Sequence, residues 1–397
     1  MRAVAITAVG VVCGLGQGVA EFSDAIRKDR CGIRGFDDPA WRALAGGVAL
    51  CDGIPDLAEY PDDRKIALLA RVADQVIGDG IGDPKRCGVY LGTGLSSVTP
   101  RELGEDVYPH RNGNALDSEG MTLDLARDRV APLRHQPSRA AAWLAQRVGA
   151  QGPQITVFSA CAAGAEAIAA GARAVARGEL DVAFAGGQDA MAHPIGLASF
   201  GVLGALSMGV ARPFDRRRDG FALGEGAALL RIEPLEACAR PLAVFLGAGS
   251  SLDAFGVTAP HPEGEGAEAA MRRALRDAGL PSEAVEWVKA HATGTPVGDI
   301  AESKAIRRLF GSKIPVNSFK GALGHTLAAA GAVEAVAVVL GISGGFLPGT
   351  VGCEQPDAMD IDVVQQARIR PVGVALANSF GFGGQNVSLV FRHPDAG

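Results

Sequence analysis

The chain has 397 residues, with 38 basic and 44 acidic side chains and a formal net charge of −6. That balance excludes a basic nucleic-acid binder, and a hydrophobic content of 48% excludes a disordered chain. The length allows roughly two to three domains of about 150 residues, or one large two-part domain.

Taken in order, Ala3 to Val12 alternates like a buried strand rather than a signal peptide. No uninterrupted apolar run reaches the ~18 residues of a membrane span, so no membrane association is expected. Arg64 to Ile77 has the period of an amphipathic helix, and Cys87 to Leu91 reads as a strand ending in Gly92-Thr93-Gly94. The stretch from Ser96 to Gln136 carries no readable constraint. Arg139 to Val148 is a predicted helix and Gln154 to Phe158 a strand. A long helix of small residues follows from Cys161 to about Arg177, then a strand from Asp181 to Ala185 closing on Gly186-Gly187.

The second half repeats the order. Leu242 to Leu246 resembles the opening strand, Gly266 to Ala278 is a helix, and Val285 to Ala290 is a strand leading into His291. Asp299 to Leu309 is a helix, Ile314 to Asn317 a strand, Thr326 to about Leu340 a small-residue helix, and Val372 to Ala377 a strand. Helices alternating with strands predict a parallel sheet with covered faces. The repeat predicts a duplicated α/β fold with halves 1–240 and 241–397. Its two Ala/Gly-rich helices, able to pack closely on both sides, are expected between two sheets.

The seven cysteines at 13, 31, 51, 87, 161, 238 and 353 are odd in number and contain no C-x-x-C pair. Neither a disulfide framework nor a zinc or other metal site is indicated, and a reducing cytoplasm is the expected compartment. Cys161 follows a strand by a short turn and opens a helix. There the unpaired N–H groups and the helix dipole lower a thiol pKa and favour a nucleophile. The alternative is one more small buried hydrophobe. His291, in Lys-Ala-His-Ala-Thr-Gly-Thr, and His325, in Lys-Gly-Ala-Leu-Gly-His, both lie just past strands, where α/β sheets place their sites. Two histidines in glycine-rich turns, with a thiol at a third, point to a Cys/His site. His110, His135, His193, His261 and His393 lack such a setting. Gly14-x-Gly16-x-Gly18 lacks dinucleotide-binding spacing, and neither a phosphate loop nor a G-x-S-x-G elbow is present.

Five segments together resemble the β-ketoacyl-acyl-carrier-protein synthases. They are Ser159-Ala160-Cys161-Ala162-Ala163-Gly164; Arg212-Pro213-Phe214-Asp215 with Asp219-Gly220-Phe221 and Gly224-Glu225-Gly226; His291-Ala292-Thr293-Gly294-Thr295; Lys320 to His325; and Asn378-Ser379-Phe380-Gly381-Phe382-Gly383-Gly384. More narrowly, the chain is similar to the elongating Cys-His-His condensing enzymes of fatty-acid and type II polyketide synthesis. The motifs run in family order over nearly the whole chain.

The resemblance implies a thiolase fold of five layers, α/β/α/β/α, normally dimeric. It implies an acyltransferase that loads an acyl group onto Cys161 from the phosphopantetheine arm of an acyl carrier protein and extends it by decarboxylation of malonyl on a second carrier. No tightly bound cofactor is implied. By resemblance, the N–H groups of Cys161 and Phe382 form the oxyanion hole, and His291 and His325 stabilise the enolate. Lys320 organises the second histidine. Glu334 joins that network; it is the lone acid in the apolar run from Ala328 to Leu340 and needs a partner. Thr293, Thr295 and Phe380 are carried over as phosphopantetheine or substrate contacts, Phe382 as a gating aromatic between glycines, and Asp253 as part of a loop coupled to that gate.

Ala292 stands where the family usually has Gly, and Gln385 where fatty-acid enzymes often have Thr. Both are compatible with a specialised polyketide or polyene synthase. A non-catalytic chain-length partner of a heterodimer is the alternative; such partners typically lose the nucleophile, which remains here. A thiolase would need a second cysteine in the glycine-rich end motif, and Cys353 lies outside it. An acidic carrier protein requires a local basic dock, for which Arg64, Lys65 and Arg216 to Arg218 are the candidates.

Overall fold

The computed structural model describes residues 2–37, 39–55, 57–58, 60, 63–78, 80–94, 108–112, 115–127, 136–357 and 359–396. Most of the 96–136 stretch, including His135, lies outside them.

The main sheet contains β1 (Val4–Cys13), β2 (Cys87–Thr93), β3 (Gln154–Val157), β4 (Val182–Asp189), β5 (Gly226–Pro234) and β6 (Ala243–Leu252). It continues with β7 (Trp287–Lys289), β8 (Pro315–Asn317), β9 (Asp362–Val363), β10 (Val374–Phe380) and β11 (Gln385–Arg392). Its strand order is β9-β8-β7-β10-β11-β6-β1-β5-β4-β2-β3. The set β3-β2-β4-β5-β1 and the set β8-β7-β10-β11-β6 have the same pairing: two parallel contacts, then two antiparallel ones. They meet where β1 pairs antiparallel with β6, from Val4↔Phe245 to Ile6↔Ala243.

The sheet is therefore mixed, not parallel as the alternation suggests, and its two halves are hydrogen-bonded into one. The reason is local. β10 and β11 are separated only by residues 381–384, too short for the crossover that a parallel return requires.

The helices used below are α1 (Arg64–Val76), α2 (Arg139–Val148), α3 (Ala163–Ala176), α4 (Pro194–Val202), α5 (Glu265–Ala278), α6 (Pro296–Phe310), α7 (Lys320–Leu323) and α8 (Ala330–Gly344). Asp63 caps α1, its carboxylate accepting the Ile66 N–H at 3.2 Å. α1 and α2 cover the outer face of the first strand set, and α5, with α6 against it, covers that of the second. α3 and α8 lie between, each touching strands of both sets, which gives five layers, α/β/α/β/α. Leu327–Gly344 is long and apolar enough to cross a membrane, but it includes this buried central helix.

Small residues make the central layer possible. A Cβ on Gly164 would lie 3.0 Å from the Ala332 backbone nitrogen, and one on Gly331 would lie 2.6 Å from the Ala165 backbone nitrogen. Each glycine thus admits the other helix's backbone. Gly331→Val is expected to destabilise the protein by about 3 kcal/mol through overpacking against backbone that cannot yield. Urea denaturation compared with the unaltered chain measures this.

Candidate functional site

β3 ends at Val157, and the chain turns through a short 3₁₀ segment, Ala160–Ala162, into α3. Ala160 is held at φ +46°, a left-handed conformation that costs an alanine about 1 kcal/mol. The turn directs the Cys161 thiol into a cavity of about 310 Å³ that His291, His325, Thr293, Phe380 and Phe382 also line.

The thiol does not have the depressed pKa that a helix N-terminus alone would give. Burial pushes it up to about 12, and the Lys320 charge and the N–H groups of Phe382 and Cys161, both bonded to the sulfur, only partly oppose this. At neutral pH the resting group is a thiol.

His291 leaves the end of β7 and His325 follows α7, so the second strand set supplies both rings. They stand 5.4 Å apart at 78°. Phe221 meets His325 edge-on at 5.2 Å, and Phe380 lies 5.8 Å from His291. Backbone bonds pin His325: its N–H donates to the Ala222 carbonyl at 2.7 Å, and its carbonyl accepts from Gly224 at 3.0 Å. Burial, then the Lys320 charge, hold both imidazoles well below their ordinary pKa, so both are neutral N–H donors at pH 7.

Behind the rings lies a buried ionic cluster. Glu334, on α8, accepts from Lys320 at 2.6 Å and from Lys289 at 2.5 Å. The lone acid of the apolar helix therefore has two partners.

Glu302, on α6, accepts the N–H groups of His291 at 2.8 Å and Ala292 at 2.7 Å, and the Asn378 amide at 2.9 Å. Asp299 accepts the N–H groups of Gly294 at 3.1 Å and Phe214 at 2.8 Å, and burial pushes its carboxyl up to about 7. These two acids hold the His291–Thr295 turn in place.

The Thr293 and Thr295 hydroxyls are 3.1 Å apart, and Phe382 packs 6.5 Å from Phe200 of α4. Asp253 accepts from the Asn386 amide at 2.8 Å and the His261 N–H at 3.1 Å, while its own N–H donates to the Gly384 carbonyl at 2.8 Å. The Gly383 N–H donates to Val257 at 2.7 Å, so the loop carrying Asp253 is bonded to the Phe382 turn.

All ten residues singled out in the sequence thus belong to this cavity or to the networks behind it. Lys289, Glu302, Asp299 and Phe200 were missed. Lys289 carried a weaker form of the Glu334 signal, a charge between apolar residues in a predicted strand that also holds Glu286; the others carried none. His110, His193, His261 and His393 do not line the cavity.

The expected basic dock is largely dismantled. Arg64 turns inward to Glu225 at 2.7 Å, Lys65 is only 7% exposed, and Arg218 is 9% exposed and paired with Asp357 at 2.7 Å. Arg217 is shared by Asp215 and Glu354 but, like Arg216, remains exposed. The loop folds around buried Asp215, which takes Arg217, while Arg218 is buried against Asp357.

Residues 55–237 match the family model for the β-ketoacyl synthase N-terminal domain, and residues 242–354 match that for the C-terminal domain. The chain is 34% identical over 421 residues to 3-oxoacyl-[acyl-carrier-protein] synthase 2 of Coxiella burnetii, covering 98% of each. It superposes with TM-score 0.88 and 27% identity on a type II PKS ketosynthase in complex with its acyl-carrier protein bound to the hexaketide, covering 99% of this chain and 100% of that one. On the ishigamide ketosynthase/chain length factor the TM-score is 0.83 at 30% identity, covering 98% and 99%.

Two outcomes follow from the site. Glu334→Gln leaves two buried ammonium groups without their counter-ion and is expected to cost about 3–5 kcal/mol of stability in urea denaturation. Iodoacetamide labelling of the Cys161 peptide, followed by mass spectrometry, is expected to rise about tenfold per pH unit, with no plateau below pH ~10, because the thiolate fraction keeps growing up to its pKa.

Proposed function

Because this chain belongs to the β-ketoacyl synthase family, we propose that it is a 3-oxoacyl-[acyl-carrier-protein] synthase that holds its acyl group on Cys161 and extends it with malonyl. The observation that carries this is the convergence of one thiol and two neutral imidazoles, drawn from opposite halves of the fold, on one cavity.

In the first stage the Cys161 thiol gives up its proton, its sulfur attacks the acyl thioester, and the carrier thiol leaves protonated. The Cys161 and Phe382 N–H groups, already aimed at the sulfur, lie close enough to receive the tetrahedral oxyanion. In the second, the C–C bond to the malonyl carboxylate breaks, CO₂ departs, and the electron pair forms an enolate whose oxygen accepts from His291 and His325. The enolate carbon attacks the Cys161 acyl carbonyl, the C–S bond breaks, and the sulfur regains a proton. The product is a 3-oxoacyl-carrier protein two carbons longer.

Thr293 and Thr295 contact the phosphopantetheine arm, Phe380 lines the substrate path, and Phe382 gates it with the Asp253 loop. Buried Ala292 and half-buried Gln385, whose Oε1 is buried with no hydrogen-bond partner, support a specialised polyketide or polyene substrate as well as a fatty-acid one.

A copy of itself or a chain-length-factor-like subunit is the proposed partner, in addition to the acyl carrier protein. Support comes from β3, an edge strand in which Ile155 is 42% exposed, and from Phe158 just after it, 47% exposed. Seven free thiols support a reducing, cytoplasmic compartment. The alternative, a non-catalytic chain-length partner, is disfavoured by the intact thiol and histidines.

Mixing the protein with a panel of acyl-carrier proteins is expected to give an acyl adduct on the Cys161 peptide that Cys161→Ala abolishes, read by mass spectrometry. No adduct with any acyl group, even with candidate partner subunits present, sinks the synthase reading and favours the alternative.

A further inference from the structure

Lys289 is the last residue of β7, two positions before His291, and it is fully buried. Its ammonium donates to Glu334 Oε2 at 2.5 Å and to the Asn378 carbonyl, while Lys320 takes Glu334 Oε1 at 2.6 Å. One carboxylate thus serves two ammonium groups; burial pulls the Lys289 ammonium below its ordinary pKa, Glu334 opposes this and the Lys320 charge adds to it, and with both lysines protonated the trio carries one surplus positive charge. A buried ion pair balanced one to one is already costly, so a second buried cation sharing one anion needs a compensating gain.

We propose that Lys289 is a positioning residue of the condensing step: by sharing Glu334 with Lys320 it places a surplus positive charge behind His291 and His325, which keeps both rings neutral donors and draws in an anionic malonyl group. This rests on the condensing-enzyme reading above.

The groups that face the imidazoles come from every element around them. Lys289 and Lys320 are the cations, from β7 and α7. Glu334 from α8, Glu302 and Asp299 from α6, and Asp189 from β4 are the acids, the Cys161 thiol stands with them, and Asp219, which accepts from the Ser207 hydroxyl, and Asp253, which accepts from Asn386 and His261, line the same cavity. Glu302 and Asp299 are spent on backbone N–H groups of the His291 turn, and Asp189 on those of Ala190 and Ala328. Glu334 is the acid that the two lysines share. The charges of both lysines push each imidazole downward, in support of this geometry. The second bond of Lys289 goes to Asn378, whose side-chain amide holds Glu302, so Lys289 also braces the turn that carries His291.

The test uses Lys289→Met, which removes charge and donor, Lys289→Gln, which keeps a donor, and Lys289→Arg, which keeps the charge. Histidine titration by NMR reads the imidazoles without substrate, and malonyl-carrier decarboxylation is followed across pH in parallel. In the Met and Gln variants the His291 and His325 midpoints are expected to rise by about one pH unit, the acid limb of the decarboxylation profile moves up with them, and Lys289→Arg restores both. Midpoints that stay in place in the Met and Gln variants overturn the proposal, whether or not the melting temperature falls. If the unaltered protein turns over no malonyl-carrier, the condensing reading fails, while the NMR midpoints still decide the role of Lys289.

Discussion

The close approach of α3 and α8 is the constraint on which the rest depends. Both helices are rich in alanine, glycine or valine, and Gly164 and Gly331 let each backbone reach the other. Because α3 starts just after Cys161 and α8 carries Glu334, this approach brings the N-terminal nucleophile over the C-terminal ionic cluster. Larger residues would push the layers apart and separate the thiol from the histidines, although neither half would lose its own strands.

Burial then sets the chemistry. It raises the thiol and lowers the imidazoles, so the resting site is neutral at each reacting group, with its charges one layer back in Lys289, Lys320 and Glu334. A neutral imidazole keeps one N–H to donate and one nitrogen able to accept. A protonated thiol is protected from adventitious oxidation until a substrate occupies the cavity. The two N–H groups at the sulfur offer stabilisation to whichever atom there becomes negative, first the thiolate and then the tetrahedral oxygen.

The helix–strand order was largely legible because it rests on period and on breakers, which are local properties. The Arg64 helix, the strands before Cys161 and His291, and both small-residue helices fall within a few residues of their predicted bounds. The strands Gly226–Pro234 and Gln385–Arg392 were not anticipated, since each lies beside a glycine motif that reads as a turn. The thiol's pKa was misjudged for a similar reason: the helix N-terminus is visible in sequence, whereas the depth at which the sulfur is buried is not. Of the basic dock only Arg216 and Arg217 are exposed, because charge in a sequence does not reveal whether a side chain faces solvent or an internal carboxylate.

Sequence alone carried the resemblance to the family, the duplicated α/β plan, and the thiol, the two histidines, Lys320 and Glu334 as candidates, because motifs, hydrophobic period and an isolated acid in an apolar run survive without coordinates. Tertiary structure alone decided the mixed strand pairing, the joining of two sheets at β1 and β6, the sharing of Glu334 by two lysines, and the inward turn of Arg64, Lys65 and Arg218. Each of these depends on contacts between residues far apart in the chain, and the energy of a buried charge depends on which distant group meets it.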